Sequence, residues 1–108
     1  IAVDAAGEAL SNCLTWMDRR ATREAGLVPE DVVRARCGII SDATHMAPKI
    51  AWLRDNRPDI TRETTCFHQP VSFVVQHLTG AAVMDRASVA RLIQECQERC
   101  AHQDGPDQ

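Results

Sequence analysis

The sequence predicts an α/β domain that is rich in helix, with a short β-hairpin and a strand edge near its start. Segments whose apolar residues follow a helical period alternate with short extended runs. Isolated glycines and prolines stand where helices and turns are expected to end. The 108 residues, of which 44% are hydrophobic and 25% charged, fit one globular domain and exclude a multi-domain protein within this chain.

A hairpin that leads into a buried strand is predicted at the start of the chain. Residues 1–3 and 9–10 are typical of short extended runs, and Asp4 and Gly7 are residue types that a tight turn needs. Residues 12–16 follow as the buried strand.

Helix start and stop signals follow the predicted strand. Asp18 is suited to cap a short helix that Gly26 ends, and Pro29 is suited to open a second helix that Gly38 ends. A third helix is predicted from residue 47 or 48 to the residue before the proline at 58, because a residue that precedes proline is disfavoured in a helix. One more helical turn is predicted around residue 59.

The clearest helix is predicted to begin at Pro70, after an extended segment at residues 65–68, and to end at Gly80. A short extended piece follows at residues 82–84. A further helix is predicted from Ser88, before a polar tail. The apolar residues of these two helices recur with a helical period and are Val71, Val74, Val75 and Leu78 in one, and Val89, Leu92, Ile93, Cys96 and Cys100 in the other.

Charge and cysteine content disfavour several classes of protein. The chain has 12 basic and 15 acidic residues without a basic block, so no nucleic-acid partner is expected. The uncharged stretch at 64–84 contains histidine, glutamine and proline, so no membrane helix is expected there. The spacing of the five cysteines is irregular and contains no C-x-x-C pair, which predicts reduced thiols in the cytoplasm and no metal site. The five are Cys13, Cys37, Cys66, Cys96 and Cys100.

One cluster has the chemistry of a binding site. Trp16 stands beside Asp18 and Arg20 at the end of the predicted strand. A flat indole face suits the C–H edges of a polyol, and a carboxylate with a guanidinium suits its hydroxyl groups. The alternative is that Trp16 belongs to the core and that Asp18 is only a helix cap.

Four motifs in order and spacing resemble the N-terminal domain of the FGGY carbohydrate kinases. They are Leu-Thr-Trp-Met-Asp-Arg-Arg-Ala at 14–21, Ala-Pro-Lys-Ile-Ala-Trp-Leu-Arg-Asp-Asn at 47–56, Leu-Thr-Gly at 78–80 and Val-Met-Asp-Arg-Ala-Ser at 83–88. The resemblance assigns residues 1–90 to a partial N-terminal domain and leaves 91–108 as a divergent helical tail. Within the family, the Ala-Pro-Lys run is most similar to xylulokinases, while Trp-x-Asp-Arg-Arg is also similar to glycerol kinases.

The resemblance implies an actin-like, ribonuclease H-like ATPase fold, in which a parent enzyme transfers the γ-phosphate of ATP, with Mg²⁺, to a hydroxyl of a sugar or polyol. It implies that Trp16 lines the polyol site and that Asp18 and Arg20 lie beside it. His45 would substitute for the family's usual contacts in its segment. Lys49 and Trp52 match signature positions that we expect to be structural.

The same resemblance implies that the phosphate loop lies before this chain, and that the catalytic aspartate and the adenosine-binding loops lie after it. We therefore expect this fragment alone to bind neither ATP nor Mg²⁺ and to need the remainder of the kinase chain. The alternative is a non-catalytic helical interaction module. It would use the stripe of Val89, Leu92, Ile93 and Cys96 to bind a partner or to form a homodimer.

Overall fold

A computed structural model describes residues 1–85 of the chain. This part is a small mixed domain of helices and two short strands, which confirms the predicted α/β composition. The helix that was predicted from Ser88, its apolar stripe and the tail at 91–108 lie outside the described residues. In chain order the elements are β1 (Ala2–Val3), α1 (Thr22–Ala25), α2 (Glu30–Cys37), α3 (Met46–Asn56), α4 (Pro58–Glu63), β2 (Cys66–Phe67) and α5 (Pro70–Thr79).

The first strand pairs with a distant segment. β1 and β2 are antiparallel, with Ala2 opposite Phe67 and Val3 opposite Cys66. The predicted hairpin is reduced to a single bridge between Val3 and Ala9. Its turn forms as expected, because the Asp4 carboxylate accepts the backbone N–H groups of residues 6 and 8 and the glycine at position 7 adopts a φ of 84°.

The predicted buried strand at residues 12–16 was wrong. The segment is irregular, and Trp16 is 77% exposed. A strand needs a neighbour for its backbone groups, and here the carbonyl of Thr15 is bound by a lysine side chain instead. Asp18 is not the cap of the next helix either, because α1 begins only at Thr22.

The later helices match the local signals closely. α3 begins one residue before the predicted range and ends at Asn56, two residues before Pro58. One helical turn was predicted around residue 59, and the structure has a longer helix there, the six-residue α4. α5 begins at Pro70 and ends at Thr79, directly before Gly80, whose φ of 77° is the left-handed conformation that glycine adopts readily.

The core lies around α3, which packs against α1 and α4, while α4 also contacts β1. Small and aliphatic side chains fill it, and Trp52, which we expected there, is only half-buried. The guanidinium of Arg20 lies 4.9 Å from the centre of the Trp52 ring. The buried hydrophobic residues are Ala2, Val3, Ala21, Val33, Ala43, Ala51, Leu53 and Ile60.

Helix α5 exposes the apolar face that its sequence pattern defines. Val71, Val74 and Leu78 are 74%, 54% and 80% exposed, whereas the polar Ser72 is the buried residue of this helix. Residues 1–85 therefore leave most of this apolar face uncovered. Among the same residues, no helix has the length and apolar character needed to cross a membrane.

Candidate functional site

A tight turn presents Trp16 to solvent. The backbone N–H of Asp18 donates to the carbonyl of Thr15 at 3.0 Å, which places Trp16 and Met17 at the corner of the turn. Both side chains are exposed, Met17 at 69%. A large aromatic ring that is held outward at a turn is available to stack on a ligand. We call residues 15–18 the tryptophan turn.

A second turn lies beside it and leads into α3. The backbone N–H of His45 donates to the carbonyl of Asp42, and that of Thr44 to the Asp42 carboxylate, both at 2.9 Å. Hydrogen bonding from Thr44, with a smaller contribution from Arg19, lowers the pKa of the Asp42 carboxyl group to about 2. His45 directly precedes α3, and its Nδ1 is buried without a partner among the described residues. We call residues 42–45 the histidine turn.

Lys49 joins the two turns from inside the domain. Its ammonium donates to the carbonyl of Thr15 at 2.5 Å and to that of Thr44 at 2.7 Å. The residue is only 6% exposed. Burial lowers the pKa of Lys49, and the nearby carboxylates of Asp18 and Asp42 oppose this shift.

Exposed ion pairs surround the turns. The two terminal guanidinium nitrogens of Arg19 donate to the Asp42 carboxylate, at 3.2 and 3.1 Å. The Nε of Arg20 donates to Asp18 at 2.9 Å, and this bond lowers the pKa of Asp18. The Asp18 carboxylate is therefore ionised at neutral pH and able to accept hydrogen bonds from hydroxyl groups.

A cleft of about 530 Å³ opens next to the tryptophan turn. Trp16, Met17 and Lys49 belong to its mostly apolar wall, together with residues of β2 and of the segment before α5. A cleft with an apolar wall and a few polar groups is suited to bind a ligand or to pack against another secondary-structure element.

His68 supplies one of the polar groups in this wall. It is 2% exposed, and its Nδ1 lies 3.1 Å from the Ser72 hydroxyl, which itself donates to the carbonyl of Gln69. Because that hydroxyl has one hydrogen and donates it to Gln69, the hydrogen between Nδ1 and the Ser72 hydroxyl comes from Nδ1. Nε2 is buried and has no partner within the described residues.

The structure brings some of the predicted site residues together and separates others. Asp18 and Arg20 form an ion pair directly after Trp16. Trp16 lines the cleft, whereas Asp18, Arg20 and His45 do not. The interpretation of Trp16 as a core residue does not hold among residues 1–85, because the side chain is exposed. Sequence reasoning missed the contact that joins the turns, although a lone lysine near the start of α3 was a signal for it.

Residues of the types that bind metal ions are not clustered in the described part of the chain. No group of three or more His, Cys, Asp or Glu residues lies close enough together there to hold an ion.

Comparison with known families identifies the chain. A model of the N-terminal domain of the FGGY family of carbohydrate kinases matches residues 1–93. The chain belongs to this family. The match confirms the resemblance that the four motifs indicated.

Several curated relatives are kinases. The chain is 35% identical to a glycerol kinase of Gluconobacter oxydans (strain 621H) over 82 residues, which cover 68% of this chain and 16% of the relative. It is 34% identical to a glycerol kinase of Aromatoleum aromaticum over 106 residues, 87% of this chain and 21% of the relative. A xylulose kinase of Streptomyces coelicolor is 27% identical over 95 residues, 83% of this chain and 20% of the relative.

The chain therefore spans between 16% and 21% of the length of these three relatives. No solved structure is significantly similar to it.

Proposed function

We propose that this chain forms the polyol-facing part of a kinase that transfers the γ-phosphate of ATP to a hydroxyl of a sugar or polyol. The observation that carries this proposal is the family match over residues 1–93. The parent enzyme would have the actin-like fold, with this chain as part of one domain, and would act in the cytoplasm. Xylulose is the substrate that the Ala-Pro-Lys run favours, and glycerol is its equal competitor because relatives of both names are found.

Trp16 is the proposed platform for the carbon chain of the polyol. Its ring is exposed at the corner of the tryptophan turn and borders the cleft. Asp18 would accept hydrogen bonds from polyol hydroxyls, and Arg20, already fixed by Asp18 and the Trp52 ring, would donate them. His45 would add a contact from the histidine turn. These four assignments are consistent with two turns that hold the indole of Trp16, the carboxylate of Asp18 and the imidazole of His45, with the guanidinium of Arg20 paired to Asp18.

The residues of this chain are poorly suited to bind ATP and Mg²⁺. Phosphate binding needs closely spaced glycines whose amides approach the anion, and the five glycines here are isolated along the sequence. We therefore assign no contact with ATP or Mg²⁺ to this chain and derive no step of phosphoryl transfer from it. The remainder of the kinase chain would supply that chemistry.

The exposed face of α5 is the proposed contact with that remainder. Val71, Val74 and Leu78 form an apolar stripe of the kind that packs against another element of a domain. The interaction-module alternative gains no support from the comparisons, since the relatives are named as kinases. Its stripe at residues 89–96 lies outside the described residues, and the homodimer stays a prediction.

The test is phosphorylation by the full-length protein that carries this chain. Purified protein is incubated with ATP, Mg²⁺ and a panel that includes glycerol, xylulose and other polyols, and phosphorylated product is measured by mass spectrometry. We expect one polyol to be phosphorylated in preference to the others. Consumption of ATP with no phosphorylated polyol, or no reaction with any member of the panel, would contradict the proposal.

A further inference from the structure

The ammonium of Lys49 is the buried connection between the two turns that carry the proposed polyol contacts. It binds the backbone of each turn through one carbonyl, that of Thr15 and that of Thr44. Thr15 directly precedes Trp16, and Thr44 directly precedes His45. The position of the indole relative to the start of α3 therefore depends on this side chain.

We propose that Lys49 is a positioning residue of the polyol site, which holds the tryptophan turn against the histidine turn and so fixes where Trp16 stands at the cleft. This inference rests on the proposed function of Trp16. It revises the expectation that Lys49, like Trp52, has only a structural role.

The local backbone explains why a long cationic side chain is used here. The carbonyl of Thr15 already accepts the N–H of Asp18, so the ammonium binds the same oxygen that closes the tryptophan turn. The carbonyl of Thr44 lies just before α3, and the residue four positions later is Pro48, which has no N–H to offer it. Lys49 thus gives the Thr44 carbonyl a donor and clamps the turn beside it.

The exposed pair of Arg19 and Asp42 joins the residue after the tryptophan turn to the histidine turn, but it is a weaker connection. Its side chains are 63% and 36% exposed, and water competes for such contacts. Lys49 is 6% exposed, and removal of a buried charged donor leaves its acceptors without compensation from solvent. We therefore assign the positioning role to Lys49 rather than to the ion pair.

The test compares Lys49→Met with Arg54→Met in the full-length kinase. Methionine keeps the length of the side chain and removes the donors. Arg54 is a half-exposed cation on the same helix, so its replacement controls for the loss of a positive charge on α3. For Lys49→Met we expect the KM for the polyol to rise about tenfold, because a displaced stacking group binds poorly. For Lys49→Met, the KM for ATP and kcat should stay within about twofold of the wild-type values. For Arg54→Met, the KM for the polyol, the KM for ATP and kcat should all stay within about twofold of those values.

A double-mutant cycle with Trp16→Ala decides whether Lys49 acts through the indole. In the Trp16→Ala background, Lys49→Met should add less than about twofold to the KM for the polyol, since the group that it positions is absent. A full tenfold increase in that background, or equal increases in KM for the polyol and for ATP, would overturn the proposal.

A second measurement separates this proposal from the proposed function. Hydrogen exchange, followed by mass spectrometry of peptides that span residues 14–21, reports on the N–H of Asp18, which shares the Thr15 carbonyl. Lys49→Met should raise exchange in these peptides at least about tenfold and leave peptides of α4 unchanged. Unchanged exchange at 14–21 would overturn the positioning role, whether or not the wild-type protein phosphorylates a polyol.

Two further outcomes have defined meanings. If the wild-type protein phosphorylates no polyol while exchange at 14–21 rises in the variant, the proposed function fails and the connection between the turns stands. If Lys49→Met does not fold, Lys49→Gln, which keeps a donor for one carbonyl, replaces it in every measurement and is expected to show the same pattern with smaller changes.

Discussion

Helices α3 and α5 show opposite relations between sequence pattern and burial. α3 contains a proline, a lysine and a mixed face, yet it is the centre of the core and buries Ala51 and Leu53. α5 has the most regular apolar stripe, yet Leu78 is 80% exposed. An apolar stripe therefore shows which face of a helix is suited to contact, and it does not show whether the partner lies among the neighbouring residues.

The largest expected effect comes from the same truncation at the two helices. Leu53→Ala should lower the free energy of unfolding by about 2 to 5 kcal/mol, because it removes most of a buried apolar side chain of the core. Leu78→Ala, the matched control, should change it by less than about 0.5 kcal/mol in this chain, because the side chain is already in water. Urea unfolding followed by circular dichroism measures both. Equal losses would mean that the exposed face of α5 is packed in solution.

A charged substitution on α5 shows whether the exposed face of this helix is covered in the full-length protein. In the full-length kinase, Leu78→Asp should lower the free energy of unfolding by about 2 kcal/mol or more, because the proposed contact would bury a charge. In this chain alone the same change should have little effect on unfolding. Thermal unfolding of both lengths provides the measurement, and indifference of the full-length protein would contradict the proposed contact.

Trp16 is the exposed aromatic residue whose loss should affect binding rather than stability. Trp16→Ala in the full-length kinase should raise the KM for the polyol about five- to tenfold, which is the value of one aromatic stacking contact. The KM for ATP should not change, because the phosphate-binding loops are assigned to other parts of the kinase. Steady-state kinetics with each substrate varied in turn tests this. Equal losses for both ligands would point to a structural role.

The smallest effect concerns the histidine turn and acidic pH. The pKa of Asp42 is lowered from 3.8 to about 2 by its hydrogen bonds with Thr44 and by Arg19. A lowered carboxyl pKa contributes stability that is present above about pH 4 and is lost as the pH falls towards 2. The difference in unfolding free energy between wild type and Asp42→Asn should therefore shrink over this range. Urea unfolding at pH 2 to 6 measures it, and a difference that does not vary with pH would contradict the assignment.

Local signals made the helices predictable and left the long-range contacts out of reach. Pro58 and Pro70 restrict the backbone, and Gly80 permits the left-handed conformation that ends a helix, so the ends of α3 and α5 follow from single residues. The partner of β1 lies in a segment far along the chain, and no short pattern identifies it. The predicted strand before Trp16 failed for the same reason.

The residue types of the candidate site were predictable from the sequence, whereas the contact through Lys49 that joins the two turns was not. A tryptophan with a following aspartate and arginine already suggested polyol recognition, and the structure pairs Asp18 with Arg20. The acceptors of Lys49 are backbone carbonyls, which every residue possesses, so nothing in the identities of residues 15 and 44 marks them as its partners.

The antiparallel pairing of β1 with β2 has a consequence for synthesis on the ribosome. Ala2 and Val3 pair with Phe67 and Cys66, and helices α1 to α4 are made in between. At elongation rates of roughly 5 to 20 residues per second, the first strand waits on the order of 3 to 13 seconds for its partner. During that interval the edge of β1 that pairs with β2 is uncovered, so a chaperone that covers β1 would raise the yield of folded protein more than one that acts after release.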